Sequence, residues 1–216
     1  MIIAVDGPAA SGKGTIARAV AGHYGLPHLD TGLLYRAVGQ TVLDHGDDPA
    51  RAADALAACA FDDAMLGDAR LKDDAAGNAA SVVSAHPEVR AALLARQHAF
   101  AAQPGGAVLD GRDIGTVIAP KADAKLFIQA TSEIRAQRRH QELLRTGAAI
   151  DYEQVLADIV ARDHRDSSRS AAPLRQAEDA MLLDTSTLSI ADAIDRAIAL
   201  IERQCRKTSS DSKTVV

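Results

Sequence analysis

Apolar residues along this chain fall into two kinds of run. Unbroken short runs closed by turn residues read as strands buried on both faces, whereas apolar positions three or four apart read as one face of a helix. Ile2 to Val5 is a run of the first kind, closed by Asp6 and Gly7. Ile16, Val20 and Tyr24 share one side of a predicted helix that Gly25 stops. Leu26 to Asp30 predicts a second short strand, and Thr31 is a natural N-cap for a helix reaching about Asp44. A turn at Gly46–Pro49 leads into an alanine-rich helix over Ala50–Ala60. Residues 61–80 have no convincing period and are rich in Asp and Gly, which predicts a small insertion or irregular excursion. Helix returns over Pro87–Ala102 and stops at Gln103–Gly106. Ala107–Asp110, Lys125–Gln129 and Met181–Asp184 predict three further strands, with helices over Ser132–Thr146 and Tyr152–Arg165 and a closing helix over Ile190–Gln204. Strands alternating with helices predict an α/β fold, a five-stranded parallel sheet flanked by helices. Ligands bind such sheets at the carboxyl ends of the strands.

Charge and composition narrow the chemistry. The chain has 216 residues, 29 Asp and Glu against 24 Lys and Arg, and 3% aromatics. An acidic chain with few stacking platforms is a poor nucleic-acid groove, so an anionic ligand would need cations clustered against the global sign. Cys59 and Cys205 fit no metal-ligand spacing and are expected as thiols in a reducing compartment. The opening residues lack a basic leader, and no apolar run reaches membrane-spanning length, so a cytoplasmic protein is expected. The size suggests a monomer.

The first chemical motif is Gly7-Pro8-Ala9-Ala10-Ser11-Gly12-Lys13-Gly14-Thr15, between the first strand and the first helix. This is a phosphate loop in its required setting, and it makes the expected fold that of the P-loop NTPases. Its glycines let backbone N–H groups converge on phosphate oxygens, the helix start adds a positive dipole end, and Lys13 adds a full charge. A bare Gly-rich turn is the alternative. Further along, Leu29-Asp30-Thr31-Gly32-Leu33-Leu34-Tyr35-Arg36 sets the Thr31 hydroxyl at a helix start and Arg36 about a turn in, suited to a second phosphate or merely a capped helix with a solvated arginine. Asp110 closes the third strand, where it is a plausible partner for Mg²⁺ or its waters, and Arg112 and Asp113 follow it; an Asp- and Gly-rich turn is the alternative. Arg135, Arg138 and Arg139 share a helical face, as do Arg162, Asp166 and Arg169, and either set could be a solvated charged surface.

The stretches DGPAASGKGT, LDTGLLYR, NAAS, PEVR, LDGRDIGTVI, RAQRRHQELL, ARDHRDSSR and LLDTSTLSI, in this order, resemble the bacterial cytidylate kinase family. The likeness covers most of the chain, except residues 61–77 and the polar tail. Its Gly-Lys-Gly-Thr form, with Gly14 between Lys13 and Thr15, is one seen in many nucleoside monophosphate kinases. The resemblance implies transfer of the γ-phosphate of MgATP to CMP or dCMP, with no nucleic acid or membrane partner. It implies that Arg36, Arg112 and Arg169 grip the acceptor phosphate, Ser81, Arg90 and Asp113 read the cytosine edge, and Arg162 and Asp166 hold the sugar. Thr31 and Tyr35 would line the same pocket. Arg138, on a short lid, would meet the ATP phosphates; Thr15 and Asp110, the latter through water, would face Mg²⁺. The expected division is a core (1–30, 103–131, 181–204), a monophosphate-binding region (31–102) with an insert at 61–80, a lid (132–166) and a mobile polar tail (205–216). The insert is shorter than the family's usual one, which puts nucleoside selection in question. Rival readings are a P-loop kinase for UMP, AMP or another small molecule, and a non-catalytic nucleotide switch, although no N-K-x-D base-reading motif is present.

Overall fold

The apolar run at the start of the chain becomes the middle strand of the sheet. In a computed structural model, which describes residues 1–145, 147 and 150–211 with side chains as far as Arg206, β1 (Ile2–Asp6) pairs in parallel with β3 (Ala107–Gly111) on one side and β4 (Ala124–Gln129) on the other. β2 (His28–Asp30) and β5 (Met181–Asp184) form the edges, giving the order β2-β3-β1-β4-β5, parallel throughout. Alternate side chains of β1 feed two cores. Ile3 and Val5 pack with Ile16 and Val20 of α1 (Lys13–Tyr24) and Ile201 of α8 (Ile190–Asp211). Ala4 turns the other way, toward Leu109, Ile114, Ile118 and Ala101. A strand buried on both faces must be apolar at every position, which is why it reads as an unbroken run.

Beyond the sheet, α2 (Thr31–His45), α3 (Ala52–Ala57), α4 (Asp74–Val83) and α5 (Pro87–Ala101) enclose a separate core around Leu34, Val38, Val42, Val83, Val89 and Leu93. α6 (Ser132–Arg145) and α7 (Tyr152–Ser168) pack as a pair around Ala136, Leu143, Val155 and Ile159.

The structure differs from the periodicity at several points. Residues 63–67 and 69–72 form 3₁₀ turns, as an irregular excursion should, but α4 begins at Asp74, inside the stretch read as unpatterned. Alanine favours helix, but Gly77 and Asn78 are poor helix formers and alanines write little hydrophobic pattern, so apolar spacing does not mark this helix. Gly39 of α2 permits its close packing: a Cβ there would stand 2.8 Å from both the Ala79 Cβ and the Ala80 nitrogen. Thr31 is not the N-cap of α2. Asp30 is, its carboxylate accepting from the Gly32 N–H at 2.9 Å, while the Thr31 hydroxyl donates to the Asp110 carbonyl at 2.8 Å. The alanine-rich helix starts at Ala52 and tightens to 3₁₀ at Ala58, α7 runs on to Ser168, and α8 continues past Gln204 to Asp211. The end of the predicted tail, residues 212–216, and residues 146, 148 and 149 of the predicted lid lie outside the described residues. Among the described residues no helix is long and apolar enough to cross a membrane, and both cysteines are thiols.

Candidate active site

The phosphate loop leaves β1 at Asp6 and enters α1 at Lys13. Gly7 must be glycine, because a Cβ there would collide with the Ile128 carbonyl. Gly12 caps α1 in the left-handed conformation (φ 87°), and Ala10 holds φ 57°, a strain of about 1 kcal/mol for a residue with a Cβ. The loop is braced from outside: Arg135 donates to the Ala9 carbonyl at 3.2 Å and Thr185 to the Ser11 carbonyl at 3.0 Å. Gly7 and Pro8 are buried behind it.

Two hollows flank this loop, and a third adjoins the first of them through Arg162. The central one, about 330 Å³, is lined by Ala9, Ala10, Gly12, Lys13, Gly14 and Thr15, by Asp30 and Arg36 from the second strand and helix, and by Arg139 and Arg162 from α6 and α7. Burial, with Arg112 nearby, pulls the Lys13 ammonium down to about 8. Arg36 donates to the carbonyls of Leu71 (2.5 Å) and Asp73 (3.1 Å), which the excursion supplies, and its guanidinium lies flat against Gly77, where a Cβ would be 3.0–3.3 Å from it.

The second hollow, about 50 Å³, lies against the ends of β3 and α7. Its lining brings together Thr31, Tyr35, Arg90, Arg112, Asp113, Arg162, Asp166 and Arg169. Arg112 Nε donates to Asp166 at 2.8 Å, Arg90 donates to Asp113 and lies 5.6 Å from the Tyr35 ring centroid, and Arg169 sits 3.7 Å from the other Asp113 oxygen. Against the penalty of burial, Arg112 and Arg162 hold the Asp166 carboxyl below its usual range. Arg162 is different. Burial, reinforced by Arg112, pushes its guanidinium down to about 9, and its Nε is buried without a hydrogen-bond partner, as is one terminal nitrogen of Arg169. Unmatched buried donors of this kind ask for an anion or acceptor from outside. Arg162 lines both hollows and so joins them.

The third hollow, about 620 Å³, opens on the other side of the loop between Ser11, Gly12, Thr15, Arg138 and the Thr185–Ala193 turn. Arg138 donates to the Thr185 hydroxyl (3.1 Å) and carbonyl (2.6 Å).

Several expectations are corrected by this geometry. Ser81 does not line the second hollow; it is buried, and its hydroxyl accepts from Arg165 Nε at 3.1 Å. Arg135, Arg138 and Arg139 do not work as one face. Arg135 turns inward to Asp163 (2.5 Å and 3.0 Å), Arg138 goes to Thr185, and Arg139 pairs with Asp74 and Glu142. Arg162, Asp166 and Arg169, by contrast, do converge. Periodicity missed the polar braces. His28 Nε2 stands 2.7 Å from Asp110 Oδ1, and Asp74 pairs with Arg139, neither His28 nor Asp74 lying in a quoted motif. Asp6, Asp30 and Thr185 do lie in quoted motifs, but the contacts they make were not legible there.

Among the described residues no cluster of His, Cys, Asp and Glu could by itself cage a metal. The oxygens present suit a different arrangement. The missing side chain of Gly14 leaves open the space before Asp110, whose Oδ2 would be 3.7 Å from a Cβ there, and the Thr15 hydroxyl is exposed beside it. A hard cation that keeps waters and takes phosphate ligands needs no more than this from the protein.

Comparison with known proteins agrees with the fold and narrows the family. A gluconokinase structure from Sinorhizobium meliloti 1021 superposes with a TM-score of 0.54 at 17% identity, over 98% of this chain and 97% of that one, a likeness of fold. A cytidylate kinase of Xanthobacter autotrophicus is 63% identical over 94% of this chain and 97% of its own length. One from Methylocella silvestris is 57% identical over 94% of each. A sequence profile of the family described as cytidylate kinase matches residues 3–203. With that match spanning the phosphate loop, the arginine-lined hollows and all five strands, the chain belongs to the cytidylate kinase family.

Proposed function

We propose that the protein transfers the γ-phosphate of MgATP to CMP or dCMP, yielding ADP and CDP or dCDP. The observation that carries this reading is Arg162, a buried guanidinium with an unmatched Nε, shared between the Lys13 hollow and a second hollow lined by Arg112 and Arg169. Two phosphate-bearing ligands meeting end to end would use both; a switch or a simple ATPase would use one. Family membership supports cytosine nucleotides as the acceptor.

The acceptor phosphate has a second pKa of about 6, so at neutral pH it is mostly a dianion and already a nucleophile. No general base is needed, and the chain's work is to align two polyanions and offset their repulsion. In this reading Lys13 and the loop N–H groups take the β- and γ-phosphates, Arg138 approaches them from α6, and Arg36, Arg112 and Arg169 hold the acceptor phosphate. Asp113, oriented by Arg90, faces the base beside Tyr35 and Thr31. Asp166 and Arg162 face the sugar. Ser81 acts one step back, through Arg165. Thr15, and Asp110 through water, would hold Mg²⁺, which would supply charge to neutralise the phosphates. The region 132–166 closes as a lid over a core of 1–30, 103–131 and 181–204, excluding water that would otherwise hydrolyse ATP. The protein works as a monomer in the cytoplasm.

Product analysis with MgATP and each of CMP, dCMP, UMP and AMP tests the reading. CDP and dCDP are expected to form much faster than UDP or ADP made from AMP. Equal rates across all acceptors would overturn the assignment of the acceptor.

A further inference from the structure

Asp6 is 4% exposed at the end of β1, and the residue after it begins the phosphate loop. Its carboxylate does not face that loop's hollow. Oδ1 accepts from the Ile114 N–H at 2.8 Å and Oδ2 from the Gly115 N–H at 2.7 Å. Ile114 and Gly115 open a single π-helical turn over Ile114–Ile118, and Asp113 at its head offers no side-chain cap. A carboxylate from another strand supplies the cap instead. The approach is built for close contact: a Cβ on Gly115 would stand 3.1 Å from Lys125 Cδ and 3.3 Å from Asp6 Oδ2. The preceding residues are Arg112 and Asp113, which line the second hollow, and Asp6 lies in register with Gly111 across the β1–β3 ladder.

We infer that Asp6 is a positioning residue, whose carboxylate clamps residues 111–115 to the end of the phosphate-loop strand and thereby sets where Arg112 and Asp113 stand. This rests on the proposal that those two side chains hold the acceptor. A carboxylate suits the task because it offers an oxygen to each of two converging N–H donors, whereas an amide offers one oxygen and turns a donor toward the other. Burial pushes the Asp6 carboxyl up to about 7, with the Gly115 and Ile114 N–H groups opposing that rise, so the charged clamp is the form present above that pH. The phosphate loop itself is braced independently, through Arg135 and Thr185. Loss of the clamp therefore disturbs the acceptor side and spares the ATP side.

The test is equilibrium binding of CMP and of ATP, separately, to the wild type, Asp6→Asn, Asp6→Ala and Gly115→Ala, and to Asp6→Asn combined with Arg112→Ala. The CMP dissociation constant is expected to rise about tenfold in Asp6→Asn and further in Asp6→Ala. The ATP constant should stay within about twofold. Gly115→Ala, which strikes the same contact from the other side, should show the same split, and decides the matter if the Asp6 variants do not fold. Because Asp6 acts through Arg112, its substitution should add little in the Arg112→Ala background. Equal losses for both nucleotides, unchanged CMP binding, or full additivity with Arg112→Ala would overturn the inference. Wild-type protein that bound ATP but not CMP would instead remove the functional reading on which it stands.

Discussion

Lys13 and Asp6 both carry displaced proton affinities, one on each side of the Gly7 turn, and they predict different things. Burial, with Arg112 nearby, lowers the Lys13 ammonium to about 8. A cation held in such surroundings serves an incoming anion rather than the fold. Lys13→Ala is therefore expected to cut transfer by about 10²-fold or more, with an unfolding midpoint no lower than the wild type's; retained turnover in a steady-state assay would contradict it. Asp6 bears on stability instead. Its carboxyl is raised from 3.8 to about 7, so between those values the folded state binds the proton and the unfolded chain does not. Stability from this group is fully present below about pH 4 and is lost as pH rises through about 7, on the order of 1 kcal/mol per unit. Denaturant titrations of wild type and Asp6→Asn should diverge in this sense from pH 4 to 7, and a difference constant over that range would refute it.

Among the elements, α6 and α7 pack chiefly on one another. Their apolar contacts are Ala136, Leu143, Val155 and Ile159 with a few half-buried neighbours. Ile159→Ala should remove about 2–4 kcal/mol from this pair. Hydrogen exchange is expected to quicken in α6 and α7 while β1 and β4 stay protected. The link from α6 to α4 is of another kind. Arg139 pairs with Asp74, but Asp74 is 45% exposed, and such pairs contribute little. Asp74→Asn should change global stability by less than about 1 kcal/mol, read from chemical unfolding. α4 also shows where periodicity stops working. Its buried residues are small ones, three alanines with Gly77 and Ser81, and Val83, and the close approach to Gly39 holds Ala79 and Ala80 against a segment far away in the chain.

For the whole molecule, an acidic chain has gathered several of its cations at one place. Arg36, Arg112, Arg162 and Lys13 repel one another across the joined hollows, and burial denies them water. The folded protein should consequently be stabilised by a phosphate-bearing acceptor more than by its nucleoside. CMP at a hundred times its dissociation constant should add about 2.7 kcal/mol to unfolding stability. Cytidine at the same concentration should add far less, and salt should weaken the CMP effect. Thermal shifts that did not distinguish CMP from cytidine would argue against an anion site.

Local pattern was enough for the five strands and the phosphate loop, through unbroken apolar runs and glycines at fixed offsets. That Arg112, Asp113, Arg162, Asp166 and Arg169 belong together came from the family resemblance, since charges a turn apart could equally have been a solvated face; the fold lines one hollow with them. Only the tertiary structure decided which guanidinium meets which partner, that Asp30 rather than Thr31 caps α2, that Ser81 stands behind Arg165, and that Asp6 reaches across to Ile114 and Gly115. A polar side chain is satisfied by whatever donor or acceptor the packed elements bring within reach, and that depends on distances between segments remote in the chain, which no local pattern encodes.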